Sequence, residues 1–331
     1  METLDFRLLN EFQRDFPLHS RPYARIAECL ESTEEEVIAV LARQKELGAV
    51  SRIGAVFAPR AVGASTLAAL AAPAEQLDAI AARVSSHPEV NHNYQREHAY
   101  NLWFVATAQD EAMLSAALSR IETETGCPVL RLPLLEEYHI DLGFDLCGDD
   151  KARSAVRPLP PGDFPAAMSP SERRLLHALQ DGLELLPRPF SRLALRADLS
   201  EDEVLQQIEA WLSRGFVKRF GVVVRHHELG YTANAMCVWD VPDEDVAAMG
   251  QRLAKEPAVT LCYRRARSKL QANWPYNLFC MIHGVSRDEV EVEIAALCAR
   301  HSLAAYPQAV LFSVRRFKQQ GARYLHGAAH A

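Results

Sequence analysis

Apolar residues in the first fifty positions recur at helical spacing. Leu4, Leu8, Leu9, Phe12 and Phe16 share one face and predict a first helix. Pro17 and Pro22 break the chain, and Tyr23–Leu30 predicts a second, shorter helix. Ser32-x-x-Glu35 reads as a capping box at the head of a third, whose apolar positions include Val37, Val40, Leu41 and Leu47, and Gly48 ends it. From Val50 the pattern turns extended, through VSRIGAVFA and then ASTLAALAA. A helix over 74–84, a polar strand, an apolar strand over 102–106, a helix over 111–125 and a strand around 129–138 follow.

Helix–strand–strand–helix–strand behind the opening strand runs is the order of a ferredoxin-like αβ-sandwich. Residues 148–170 are rich in proline and charge, poor in pattern, and read as a linker. Beyond it the sequence recurs. Arg21-Pro22-Tyr23 returns as Arg188-Pro189-Phe190, and Ser32-x-x-Glu35 as Ser200-x-x-Glu203. Gly48-x-Val50-x-Arg52-x-Gly54 returns as Gly215-x-Val217-x-Arg219-x-Gly221, Tyr94-x-Arg96 as Tyr263-x-Arg265, and Tyr100-Asn101-Leu102 as Tyr276-Asn277-Leu278. The fold class is α+β, a tandem duplication in which each half is a helix-turn-helix unit plus a ferredoxin-like sandwich. The expected domains are 1–50 and 51–147 in the first half, the linker, then 171–217 and 218–326 in the second. The halves are expected to pair as an intramolecular pseudo-dimer, and a homodimer is a further candidate assembly.

The polar strand carries the candidate chemistry. Period-two alternation puts His92, Tyr94, Arg96 and His98 on one face and Asn91, Asn93, Gln95 and Glu97 on the other, so neither is expected to be a core face. Its echo puts Tyr263, Arg265, Arg267 and Lys269 on one face, beside Arg264. Guanidinium groups match carboxylates with two parallel hydrogen bonds, which makes Arg96 and Arg265 candidate carboxylate clamps. His98 stands where the second half has Arg267, a titrating group opposite a fixed cation. His226 and His227 follow the strand VKRFGVVVR, and either could be an acid, an iron ligand or a surface residue; His226 keeps the alternation of Phe220, Val222 and Val224. Trp103, Trp239 and Trp274 are candidates for a flat apolar wall, with core packing as the plainer role.

Composition narrows the partners. A net charge of −7 pulls the chain neither onto nucleic acid nor onto an anionic membrane. The amphipathic, acidic start METLDFRLLNEFQRDF does not predict a signal peptide. Seven scattered cysteines without a CxxC pair favour reduced thiols, so a soluble cytoplasmic protein is expected. No GxGxxG, P-loop, GxSxG or HExxH pattern supports NAD, ATP or zinc chemistry. Three helices ahead of such a sandwich resemble the Lrp/AsnC regulators, whose third helix would enter the major groove. Here that helix opens with Glu34, Glu35 and Glu36, and its counterpart with Glu201, Asp202 and Glu203. Those acids repel phosphates and suit the helix dipole, so a packing module is expected rather than a DNA reader.

In NHNYQREHAYNLWF, RFGVVVRHHELGY and CYRRARSKLQANWPYNLFCMIHG the chain resembles the siroheme decarboxylases, in the fused form whose two Lrp/AsnC-like halves are separate proteins in some organisms. The resemblance covers essentially all of both halves. It implies a lyase that removes the ring C and D acetate carboxylates of siroheme, giving didecarboxysiroheme on the way to d-type heme or to heme. It implies no cofactor beyond the iron of the siroheme itself, with His226 or His227 as a candidate ligand to that iron. The implied partners are siroheme and its decarboxylated products, with no nucleic acid and no membrane. The expected site has His98, Arg96 and His226 in catalysis, and Tyr94, Tyr263, Arg264, Arg265, Arg267 and Trp274 in substrate binding. The competing readings are a ligand-sensing regulator of the Lrp/AsnC type and a tetrapyrrole carrier.

Overall fold

The computed structural model describes residues 3–58, 61–140, 168–225, 233–268 and 274–321. The linker expected over 148–170 lies outside them up to residue 167, as do His226, His227 and Lys269. The chain divides into two compact units, 1–62 with 143–229 and 63–142 with 230–331. Each unit therefore draws on both halves of the duplication.

The first unit holds the helix-turn-helix modules. In the first half these are α1 (Leu4–Glu11), α2 (Pro22–Leu30) and α3 (Glu34–Glu46), followed by strand β1 (Val50–Phe57). Their counterparts are α6 (Pro170–Leu179), α7 (Pro189–Ala197), α8 (Glu201–Ser213) and β6 (Val217–Val224). The Arg-Pro-aromatic repeat starts the second helix of each module. Proline sits at its first turn, where no N–H is needed, and Tyr23 and Phe190 are buried beneath it. The arginine reaches the first acid of the third helix, Arg21 to Glu34 and Arg188 to Glu201, so these two acids serve ion pairs inside their own module. The cap of α3 corrects the expected box by one residue. Thr33 is the N-cap and pairs with Glu36, and Ser32 bonds the same carboxylate from outside. Thr33 is thus the true counterpart of Ser200, which forms the expected box with Glu203.

β1 corrects the expected domain boundary. It was expected in the sandwich, and it pairs antiparallel with β6 about Gly54 and Gly221. A strand's alternation shows that it needs a partner without naming one. The modules also exchange loops: Val222 N–H donates to Phe12 O (2.8 Å), and Leu183 N–H donates to Ile53 O (2.7 Å). Glycine at 221 is required here, because a Cβ would run into the carbonyl oxygens of Gln13 and Phe12.

The second unit is a closed barrel. The first half gives β2 (Ala64–Leu70), α4 (Leu77–Ser86), β3 (Val90–Arg96), β4 (Leu102–Ala108), α5 (Glu111–Thr125) and β5 (Leu130–Ile140). The second gives β7 (Ala233–Trp239), α9 (Val246–Leu253), β8 (Val259–Arg265), β9 (Leu278–Gly284), α10 (Arg287–His301) and β10 (Gln308–Gln319). Each half is the expected ferredoxin-like sheet, and the strand order β10-β3-β4-β2-β5-β8-β9-β7 fuses the two edge to edge. The long last strands β5 and β10 make both junctions, to β8 and to β3. Closure removes every open edge. Two apolar layers lie under the helix pairs, and a third, with Trp103, Met236, Tyr263, Trp274, Phe279 and Leu311, fills the space between the sheets.

Candidate active site

β3 does not present two polar faces, as its sequence suggested. Asn91 and Asn93 are both buried, and Asn93 lies on the helix side, where it donates to Ala81 O (3.1 Å) and Ser85 Oγ (3.0 Å) at α4. A buried amide is tolerated because its hydrogen bonds are made. Tyr94 and Arg96 take the other face and point into the barrel.

Arg96 is 7% exposed. Its guanidinium donates to Leu311 O (2.8 Å) and Asn234 Oδ1 (3.3 Å), lies by Met281 Sδ, and sits 5.9 Å from the Tyr94 ring centroid. No carboxylate among the described residues pairs with it. Burial pushes its pKa down to about 10, against the partial support of Tyr263, Tyr94 and Cys237. Arg265 repeats the arrangement: its backbone N–H meets Asn277 O as that of Arg96 meets Asn101 O (both 2.9 Å). Its guanidinium donates to Leu132 O (2.7 Å) and lies over Tyr263 at 4.5 Å. The barrel interior thus holds two inward arginine–tyrosine couples. The repeated asparagines fix the turns behind them. Asn101 bonds both backbone polar groups of Ala72, and Asn277 those of Val241.

The cation run in β8 is not one surface. Arg264 turns outward to Asp243 (2.7 Å). Arg267 is held by Asp240 (2.7 Å), Asp243 (2.7 Å) and the carbonyls of Pro275 and Val241. Burial works against its charge, and the two aspartates outweigh it and raise its pKa. Both side chains already have carboxylates from their own chain, so the geometry does not offer them as clamps in the way Arg96 is offered.

His98 corrects the strand reading too. β3 ends at Arg96, and His98 lies on the turn that follows, with its N–H on Arg96 O (3.0 Å). Its Nδ1 accepts from Tyr100 N–H (3.0 Å), which puts the proton of the neutral ring on Nε2. Nε2 has no protein partner among the described residues. Burial lowers the His98 pKa below its ordinary 6.5. The ring stacks on Tyr100 (6.1 Å, 14°) and meets Trp274 edge-on (5.4 Å, 79°).

Trp274 comes from a place where the duplication fails to match. The first half joins Arg96 to Leu102 by a short turn, and the second joins Arg265 to Leu278 by a longer connection. Paired backbone bonds between Ser268 and Trp274 (3.1 and 2.9 Å) close that excursion. Trp274 is 2% exposed, packed on Trp103, Tyr100 and Tyr276, with an indole N–H that has no acceptor among the described residues. An unsatisfied buried donor costs about 1–3 kcal/mol, so the packing it completes must offset that. Tyr94, Arg96, His98, Tyr263, Arg265 and Trp274 therefore belong to one barrel, and Arg264 and Arg267 are engaged beside it. Sequence reasoning missed Asn234, which also accepts from Ser313 Oγ (2.8 Å). It has no counterpart signal, since the first half carries Ser65 at that register. Tyr100 and Tyr276 were visible as repeats but not as walls of the site.

A tandem of helix-turn-helix modules with a barrel that buries cationic and aromatic groups defines a ligand-binding protein of the AsnC-like class. The AsnC-like ligand binding domain matches residues 61–139 and 228–318, and the siroheme decarboxylase NirDL-like HTH domain matches 5–50 and 172–217. The chain is 47% identical to the siroheme decarboxylase NirDL subunit of Paracoccus denitrificans, over 99% of each chain. It is 51% identical to the siroheme decarboxylase NirD subunit of Pseudomonas aeruginosa, over 44% of this chain and 97% of that one. The crystal structure of the siroheme decarboxylase NirDL with an iron-uroporphyrin III analogue superposes with a TM-score of 0.67 at 26% identity, covering 97% of this chain and 93% of that one. The chain belongs to the siroheme decarboxylase family, and the regulator reading is not favoured. No helix among the described residues is long and apolar enough to cross a membrane.

Proposed function

We propose that this protein is a siroheme decarboxylase, a non-oxidative carboxy-lyase that removes the two ring acetate carboxylates of siroheme and needs no cofactor beyond the iron its substrate carries. The observation that carries the reading is Arg96: a buried guanidinium, held in place by Leu311 O and Asn234, with no carboxylate partner among the described residues. A flat polyanion with apolar faces supplies what such a cation lacks, and the aromatic residues around it suit the macrocycle. Arg265 serves as a second clamp, and Tyr94, Tyr263 and Trp274 as walls.

In each round the bond between the acetate methylene and its carboxylate breaks and carbon dioxide leaves. The electron pair stays on the methylene carbon, aided by the ring, and one proton converts it to a methyl group. His98 delivers that proton. Without ligand, burial lowers its pKa below the ordinary 6.5, and Nδ1 accepts from the Tyr100 N–H. Substrate carboxylates brought beside it raise its pKa and make the imidazolium available where it is used.

Anaerobic incubation with siroheme, followed by absorption and mass spectrometry, tests the reading. Two successive losses of carbon dioxide support it. A shifted Soret band with unchanged mass means a carrier, and salt-sensitive duplex binding without turnover means a regulator.

A further inference from the structure

We propose that Trp274 is a positioning residue for His98: the longer β8–β9 connection of the second half brings an indole against the first half's imidazole, fixing that ring and keeping water from it. The inference deepens the reading above and rests on it only for its catalytic consequence; the contact itself stands in the ligand-free protein.

The contact is one-sided in origin. The first-half turn from Arg96 to Leu102 is too short to carry a counterpart of Trp274, whereas the second half closes its longer excursion with the Ser268–Trp274 backbone pair. The indole meets His98 edge-on at 5.4 Å while packing on Trp103 at 5.2 Å and Tyr276 at 4.9 Å. Its N–H finds no acceptor among the described residues, so packing and the backbone pair to Ser268 hold it. Tyr100, whose ring lies 6.0 Å from the indole, stacks on the imidazole and supplies the N–H to Nδ1. Charged neighbours do not explain the state of His98. Glu97 is paired with Arg287, Arg267 is paired with Asp240 and Asp243, and Arg96 points into the barrel from the strand end. Burial is the cause of the downward shift at His98, and Trp274 is a buried ring in edge contact with it.

The test reads His98 directly. Imidazole NMR titrations of the full-length, ligand-free chain are recorded for wild type, Trp274→Ala and Trp274→Phe, with His98→Gln identifying the signal among the 12 histidines. Trp274→Ala should move the His98 midpoint up toward the ordinary value of about 6.5, and Trp274→Phe, which keeps a ring there, should stay nearer wild type. Should Trp274→Ala fail to fold, Trp274→Leu is read in its place with the same expected direction. A midpoint unmoved by loss of the ring overturns the proposal, as does an equal shift in Trp274→Phe, which would assign the effect to the indole N–H. In turnover, the limb of kcat/KM that falls with rising pH should move up with the NMR midpoint. If His98→Ala decarboxylates siroheme at the wild-type rate, the proton role of His98 fails while the titration result stands.

Discussion

Arg96→Met separates a cation kept for a ligand from one kept for the fold. Methionine fills much of the same channel and removes the charge. Lowering the Arg96 pKa from its ordinary value to about 10 corresponds to roughly 3 kcal/mol of desolvation working against the charged group. Against that gain, the variant forfeits the bonds to Leu311 O and Asn234, at about 1.5–3 kcal/mol each for a charged donor. The terms largely cancel, and the ligand-free protein should lose no more than about 3 kcal/mol. Binding has no such offset. Two charge-assisted bonds to one carboxylate are worth about 3–6 kcal/mol, so siroheme affinity should fall by about 10²–10⁴. Urea unfolding at unchanged m gives the first quantity, and an anaerobic absorption titration gives the second. Loss of about 5 kcal/mol of stability with affinity within a few-fold of wild type would make Arg96 a pin of the barrel, and the proposed site would go with it.

Other perturbations probe the remaining parts. His98→Ala should leave siroheme binding largely intact and cut turnover by about 10²–10⁴, read from single-turnover mass spectrometry. Because His98 titrates below 6.5 in the free protein and acts protonated, wild-type kcat/KM should fall as pH rises through that lowered midpoint; kcat should persist to higher pH, where bound carboxylates hold the proton. Asn277→Ala strands the Val241 N–H, while Val241 O keeps the Arg267 guanidinium, and should cost about 1–3 kcal/mol, visible as a lower urea midpoint. Gly221→Ala should destabilise the helix-turn-helix unit far more than Gly54→Ala, whose added Cβ meets Gly182 Cα at 3.3 Å, and hydrogen exchange resolved by unit would rank them.

The helices were legible because their signals are local. Periodicity placed α2 and α3, ran α1 past its end at Glu11 toward Phe16, and gave the box at Ser200 and Glu203 correctly. The box before α3 slipped because Ser32 and Thr33 are adjacent hydroxyls and both reach Glu36. β1 was recognised as a strand, yet nothing in its alternation points to β6 as its partner. That Tyr94 and Arg96 share a face followed from period two, but its inward direction and the buried side of Asn93 did not, since a polar residue gives no local sign that α4 will satisfy it. Arg267 looked like a clamp because Asp240 and Asp243 lie in the distant turn after β7. The meeting of Asn234 with Arg96, and of Trp274 with His98, is a property of barrel closure alone.

Barrel closure has a consequence for any attempt to split the chain. Either sheet in isolation would have two unsatisfied borders, at β3 and β5 in one and at β8 and β10 in the other, and the cheapest remedy is to mate with a copy of itself. Such a self-paired first half would own the imidazole twice and lack the indole, and a self-paired second half the reverse. Covalent fusion therefore does more than raise local concentration: it forbids the two symmetric assemblies that would each be half-equipped.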